Sequence, residues 1–304
     1  MQEENHDQHR CGVAALVGPP NAGKSTLMNS LVGEKVSIVT PKAQTTRNKV
    51  SGILTGEDFQ VVFLDTPGVF KAKGKLNEFL NRSAMESLQS VDLVLLVADM
   101  DLYIKKPHFL EKDFKDLSRK VSSMPHVLLV ANKIDKVREK SSMLPVWSQL
   151  SHMFPDREIL PASAVTGEGT GELLNKVLQH LPLGPALYPE DQLSTLPMRF
   201  MVSEIVREKL FLNMRQEVPY GLAVEIEHWS EEEDLLRVNA VIYVLRQAHK
   251  SMVIGSKGQM LRDVGTQARL EIESLAGKRV YLETFVKVRP GWDENPGFLR
   301  SLGI

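Results

Sequence analysis

The chain has 304 residues, 42% hydrophobic and 25% charged, the texture of soluble globular protein with room for two domains. Its 37 Lys and Arg against 38 Asp and Glu leave a formal net charge of −1, so nucleic acid or membrane must be met by a local patch, not a global field. A single cysteine, Cys11, excludes a disulfide framework, and no apolar run reaches the 18 residues of a membrane span.

The first ten residues, MQEENHDQHR, look like neither a signal peptide nor a transit peptide. A cytoplasmic address is expected, with residues 1–11 a disordered segment and Cys11 an incidental thiol within it. From 12 to 181 apolar runs alternate with helical patterns. "GVAALVG" (12–18), "FQVVFLD" (59–65), "DLVLLVAD" (92–99), "HVLLVANK" (126–133) and "EILPAS" (158–163) read as buried strands. Helices are predicted near 24–33, 76–89, 107–121, 142–153 and 170–181. Apolar strands spaced by helices imply an α/β domain with a mostly parallel sheet covered on both faces. "NKVSGILTG" (48–56) is a further strand, and its short link to 59–65 forces an antiparallel pair at that edge.

Four prolines between 181 and 197 mark residues 182–197 as a linker. A second domain over 198–292 follows the order α-β-β-α-α-β: a helix at 198–214, strands at 220–229 and 235–246, helices at 247–253 and 259–275, and a strand at 279–288. Residues 293–304 are left as a C-terminal tail.

"GPPNAGKS", Gly18 to Ser25, matches G-x-x-x-x-G-K-[ST] between a strand and a helix, the context the pattern requires. Backbone N–H groups of such a loop close around phosphates, and the helix N-terminus favours their charge. Gly18, Asn21, Ala22, Gly23, Lys24, Ser25 and Thr26 form this set, with Lys24 reaching the β- and γ-phosphates and Ser25 binding Mg²⁺. Asp65 ends a strand 40 residues later, where the metal-side carboxylate of this loop class belongs. Gly68 can bring its N–H to the γ-phosphate. In "PKAQTTRNKV" (41–50) a threonine is placed to bind Mg²⁺ and sense the γ-phosphate, Thr46 in preference to Thr45.

"NKID", Asn132 to Asp135, follows a strand and selects guanine. Asp135 can accept from the guanine N1–H and N2 amino group. Adenine would leave a buried carboxylate unpaired, a discrimination of about 10⁴–10⁵. Asn132 can tie the base loop to the phosphate loop, and the Lys133 stem can cover the base. In "ASAVTG" (162–167) the Ala164 N–H faces guanine O6, with Ser163 shaping the turn.

Val69 follows "DTPG" and has no side-chain donor or acceptor, so the attacking water must be held by other groups. Asn21 can offer its amide oxygen to a monovalent cation beside the β- and γ-phosphates; the alternative is a residue that only stiffens the loop. Lys24, Asn21, Thr46 and Gly68 are therefore the candidate catalytic groups.

The ordered motifs GPPNAGKS, QTTR, DTPG, NKID and SAVTG resemble a translation-factor-class GTPase. "KAQTTR", "DTPGVF" and the second domain make the chain similar to the Era family of bacterial GTPases over nearly its whole length. The resemblance implies an N-terminal GTPase domain (12–181), Mg²⁺, K⁺ stimulation through Asn21, and a C-terminal RNA-binding KH domain. It further implies the 3′ end of small-subunit ribosomal RNA as target, and peripheral membrane association, for which the sequence offers no amphipathic anchor. A monomer is expected.

"VIGSKGQMLRDVG" (253–265) gives the KH reading its local content. A G-x-x-G loop between two helices in α-β-β-α-α-β order is the type II KH arrangement, and in KH domains it clamps about four nucleotides of single-stranded RNA. Ile254, Gly255, Ser256, Lys257 and Gly258 form the loop. Arg246, Lys250, Lys257 and Arg262 surround it with no acid between 246 and 262. Two other classes stay open at this point. One is an RNA-binding protein whose GTP site is a gate with negligible turnover. The other is a GTPase of tRNA modification or ribosome assembly whose C-terminal domain binds protein.

Overall fold

The computed structural model describes residues 9–303 apart from 43–44, 69–73, 87, 89 and 215–216. The readings of Val69, of Gln44 in QTTR and of residues 1–8 lie outside the described residues.

The first unit is built on a six-stranded sheet of β1 (Arg10–Val17), β2 (Val50–Gly56), β3 (Phe59–Asp65), β4 (Leu93–Asp99), β5 (Val127–Asn132) and β6 (Ile159–Pro161), in the order β2-β3-β1-β4-β5-β6. All pairs are parallel except β2 with β3, as the two-residue link between them demands. β4 and β5 are buried at nearly every position, because helices cover both faces of a parallel sheet. The helices are α1 (Lys24–Val32), α2 (Lys75–Glu86), α3 (Met100–Lys105), α4 (His108–Val121), α5 (Leu144–Met153) and α6 (Thr170–His180). Val94, Leu96 and Leu129 of the sheet join Leu110, Phe114 and Leu150 of α4 and α5 in one core. The bulk of this unit ends at Thr195, and the second unit runs from Leu196 onward and includes the segment Ile38–Thr45 and the start of α2 as far as Phe79.

The second unit orders α7 (Met198–Asn213), β7 (Leu222–Glu231), β8 (Leu235–Val244), α8 (Gln247–Ile254), α9 (Gln259–Ala276), β9 (Arg279–Val288) and α10 (Pro296–Ser301). β7 pairs antiparallel with β8, and β8 parallel with β9. Val206 and Leu210 of α7, with Val264, Ala268 and Ile272 of α9, bury the sheet residues Val238, Ala240 and Ile242. The α-β-β-α-α-β order is the one read from the sequence.

Four expectations change. β1 starts at Arg10, not 12, and Cys11 is buried within it, so Cys11 is not part of a disordered segment; burial pushes its thiol up. The segment expected as a linker is hydrogen-bonded into the first unit as far as Thr195. Pro182 O accepts from Cys11 N–H, Gly184 N–H donates to His9 O, and Leu193 O accepts from Ile53 N–H. Gln60 accepts from the Leu187 and Tyr188 N–H groups at 2.7 and 2.9 Å. The prolines exclude helix there, but buried polar side chains supply partners that local composition does not reveal. The expected tail folds: α10 buries Phe298 and Leu299, with the Arg289 guanidinium 3.6 Å from the Phe298 ring centroid. Finally α3, absent from the sequence reading, is capped by Asp99, whose carboxylate accepts from Leu102 N–H at 3.0 Å.

Candidate nucleotide site and basic loop

Because β1, β3, β4 and β5 run parallel, their carboxyl ends lie at one edge of the sheet, the place where open α/β sheets bind ligands. β1 delivers the phosphate loop, β3 Asp65, β4 Asp99, and β5 Asn132.

Gly18, Asn21 (φ 62°) and Gly23 (φ 93°) shape the loop. A Cβ on Gly23 would stand 2.4 Å from Asn132 Nδ2, so only glycine lets the base loop reach across. The Asn132 amide donates to Ala22 O at 2.8 Å and accepts from Ala164 N–H at 3.1 Å. It thus ties phosphate loop, β5 and the 162–167 turn together. Thr26 follows in the first turn of α1, half-buried. The Lys24 ammonium is buried and donates to Gly18 O and Pro19 O, both at 3.1 Å. Burial lowers its pKa to about 8, with Asp65 opposing and Lys133 reinforcing the shift. A phosphate beside it would offset that penalty.

Asp65 is fully buried. Its Oδ2 accepts from Ser25 Oγ at 2.5 Å, Ser37 Oγ at 3.0 Å and Thr46 Oγ1 at 3.1 Å. Ser25 and Thr46 hydroxyls are 2.8 Å apart. Oδ1 has no hydrogen-bond partner among the described residues. Burial raises the carboxyl pKa, against the pull of Lys24 and the three hydroxyls. Of the two adjacent threonines, Thr46 reaches Asp65, whereas the Thr45 hydroxyl is 2.6 Å from Thr40 Oγ1 and donates to Lys42 O. Two hydroxyls and a carboxylate with an unused oxygen suit a hard cation that takes its remaining ligands from phosphate and water, as Mg²⁺ does. Among the described residues no group of three or more His, Cys, Asp or Glu could hold a metal by itself.

Gly68 has a reason the sequence reading did not weigh. A Cβ there would meet Pro20 Cα and N at 2.9 Å, so the glycine admits the turn after β3 against the phosphate loop.

Lys133 adopts φ 66° and donates to Asn21 O and to Asp99 Oδ2. Ser163 Oγ donates to Asp135 Oδ1 at 2.7 Å, orienting the carboxylate. Two details are corrected. Asp135 is exposed, not buried, because it lies on the surface 3₁₀ turn Ile134–Lys136; its discrimination depends on the base covering it. The Ala164 N–H already serves Asn132 Oδ1, so it is not a dedicated donor for guanine O6. The sequence reading also missed Ser37 and Asp99. Asp99 carried one usable signal, an acid at the carboxyl end of a parallel strand.

In the second unit the loop between α8 and α9 holds Gly255 at φ 73° and ψ 179°, a region open only to glycine, and Lys257 (φ 50°) and Gly258 (φ 75°) in left-handed conformations. A lysine held there is a local strain of the kind found at binding loops. Ser256, Lys257, Arg246 and Arg262 are exposed, and Lys250 and Ile254 half-buried.

A family model described as a 50S ribosome-binding GTPase matches residues 13–133, and one described as a KH domain matches 217–293. GTPase Era of Nitratidesulfovibrio vulgaris (strain DSM 19637 / Miyazaki F) is 56% identical over 300 residues, 98% of each chain. GTPase Era of Trichlorobacter lovleyi is 43% identical over 97% of this chain and 98% of its own. Among solved structures, an Aquifex aeolicus Era variant bound to GDP·AlF4⁻ matches with TM-score 0.88 and 38% identity, covering 97% of this chain and 99% of that one. An Era in complex with MgGDPNP and nucleotides 1506–1542 of 16S ribosomal RNA matches with TM-score 0.90 and 37% identity at the same coverage.

Proposed function

The chain belongs to the Era family of GTPases, and from that premise we propose that it hydrolyses GTP and couples nucleotide state to ribosomal RNA. The RNA is the 3′ end of small-subunit ribosomal RNA, and the role is assistance to small-subunit assembly. The reading rests foremost on the convergence of Ser25, Thr46 and Asp65 beside the buried Lys24.

The residues divide the work. Gly18, Asn21, Ala22, Gly23, Lys24, Ser25 and Thr26 surround the phosphates, with the Lys24 charge at the β- and γ-oxygens. Ser25, Thr46 and Asp65 would hold Mg²⁺, which when bound would supply positive charge to offset the negative charge that develops on the phosphates. Gly68 presents its N–H to the γ-phosphate, and Asn132, Lys133, Asp135, Ser163 and Ala164 frame the guanine. Water attacks the γ-phosphorus in line, and GDP and phosphate leave. Ile254, Gly255, Ser256, Lys257 and Gly258 clamp the RNA backbone, with Arg246, Lys250 and Arg262 adding charge. The GTPase domain starts with β1 at Arg10 and includes the packed segment up to Thr195, and the KH domain follows from Leu196. The protein acts as a cytoplasmic monomer. Membrane association would be peripheral; no helix among the described residues is long and apolar enough to cross a membrane.

Two measurements test this. Radiolabelled GTP should turn over slowly but measurably, and zero turnover would leave the nucleotide as a gate alone. Small-subunit binding should differ between GDP and a non-hydrolysable GTP analogue; equal binding would break the coupling.

Asn21 carries the K⁺ part of the proposal. Its left-handed φ of 62° is a conformation asparagine tolerates, so stiffening alone could account for the residue type. Hydrolysis is expected to run about tenfold faster in K⁺ than in Na⁺ at equal ionic strength, because a cation there stabilises transition-state charge. Asn21→Ala should abolish the difference, and Asn21→Gly, which keeps the conformation without the amide, should do the same. Equal wild-type rates in the two salts refute the cation.

A further inference from the structure

On the metal reading above, we infer that Ser37 is a positioning residue for Asp65, held in place by Asn29. Three hydroxyls converge on Asp65 Oδ2. Ser25 and Thr46 have lone pairs to give a metal. Ser37 is the third, and its task is to donate to the carboxylate. Its hydroxyl is 3.0 Å from Oδ2, and the residue is only 2% exposed, so water does not replace it there.

Ser37 lies outside regular secondary structure, yet both its backbone groups are gripped by one side chain. Asn29 Oδ1 accepts from Ser37 N–H at 3.0 Å and Val36 N–H at 3.1 Å, and Asn29 Nδ2 donates to Ser37 O at 2.8 Å. Asn29 stands on α1, whose first two residues are Lys24 and Ser25. The hydroxyl that turns Asp65 is thereby referenced to the same rigid helix as the serine that shares the metal. A donor on Oδ2 fixes the plane of the carboxylate. Oδ1, unpartnered among the described residues, is thereby held in one orientation and would be free to serve the metal. Outer contacts of this kind tune affinity without touching the ion.

The alternative is that Ser37 merely shapes its loop. The two roles separate in the release of a fluorescent GDP analogue from the full chain, followed at stepped Mg²⁺ concentrations and again in EDTA. Ser37→Ala should raise the Mg²⁺ concentration for half-maximal retention about tenfold, the scale of one hydrogen bond to a charged group. Release in EDTA should stay within about twofold of wild type. Asn29→Ala should raise the Mg²⁺ midpoint too, and the double variant no further than the larger single effect, because both act through one contact. An unchanged midpoint in Ser37→Ala overturns the inference. An equal acceleration in EDTA overturns it as well, by making Ser37 a loop residue. Wild-type release indifferent to Mg²⁺ is a distinct failure, which removes the metal set and Ser37's role together.

Discussion

Asp135→Asn is expected to move the preferred nucleotide from GTP to xanthosine triphosphate. The carboxylate is oriented by Ser163 Oγ at 2.7 Å on Oδ1 and is open to a base from the surface. Guanine offers it two donors, N1–H and the N2 amino group. Two hydrogen bonds to a charged acceptor contribute about 3–6 kcal/mol, or about 10²–10⁴ in affinity. An asparagine amide can still accept from N1–H, but its NH₂ opposes the guanine amino group. Xanthine carries a carbonyl at that position, which accepts the same NH₂. A titration should show the GTP loss and the xanthine gain together. Unchanged GTP affinity would remove Asp135 from the base site. Ser163→Ala should weaken GTP less, since it loosens the carboxylate without altering its charge.

The second large effect belongs to the GSKG loop. Replacing Ser256 and Lys257 together with Asp is expected to weaken RNA binding by about 100-fold at moderate salt, because one cation becomes two anions against the phosphate backbone. The side chains are exposed, and aspartate tolerates the left-handed conformation that Lys257 holds at φ 50°, so folding should survive. Intrinsic GTP hydrolysis should remain near wild type, since the substitutions leave the nucleotide residues untouched. RNA affinity equal to wild type would remove the loop from the interface.

What was legible in the sequence was local. The phosphate loop, NKID and GSKG are contiguous stretches whose backbone conformations are set by their own residues. The sheet could be read because parallel strands buried on both faces are almost purely apolar. What escaped depends on partners far away in the chain. Ser37 meets Asp65 across 28 residues, and Asp99 meets Lys133 across 34. Gln60 reaches the Tyr188 carbonyl across 128. A serine between apolar residues gives no sign that its hydroxyl will serve a carboxylate, and a proline-rich stretch gives no sign of the glutamine that will hold it. α10 escaped for the same reason: its six residues are too few to show periodicity, and its helix is held by burying Phe298 and Leu299.

The bound course of residues 182–195 bears on how such a protein can be recombined with its relatives. A chimaera joined at 181/182 would bring a foreign segment against Gln60, Ser51 and β1, whose hydrogen bonds to Tyr188, Ser194 and Pro182 depend on that segment's backbone and polar groups. The Ile53 N–H on the outermost strand β2 would also risk losing its cover from Leu193 O, leaving a sheet edge open to self-association. A crossover after Thr195 keeps residues 182–195 with their partners on β1, β2 and β3. Grafts made there should fold and stay soluble where grafts made fourteen residues earlier precipitate.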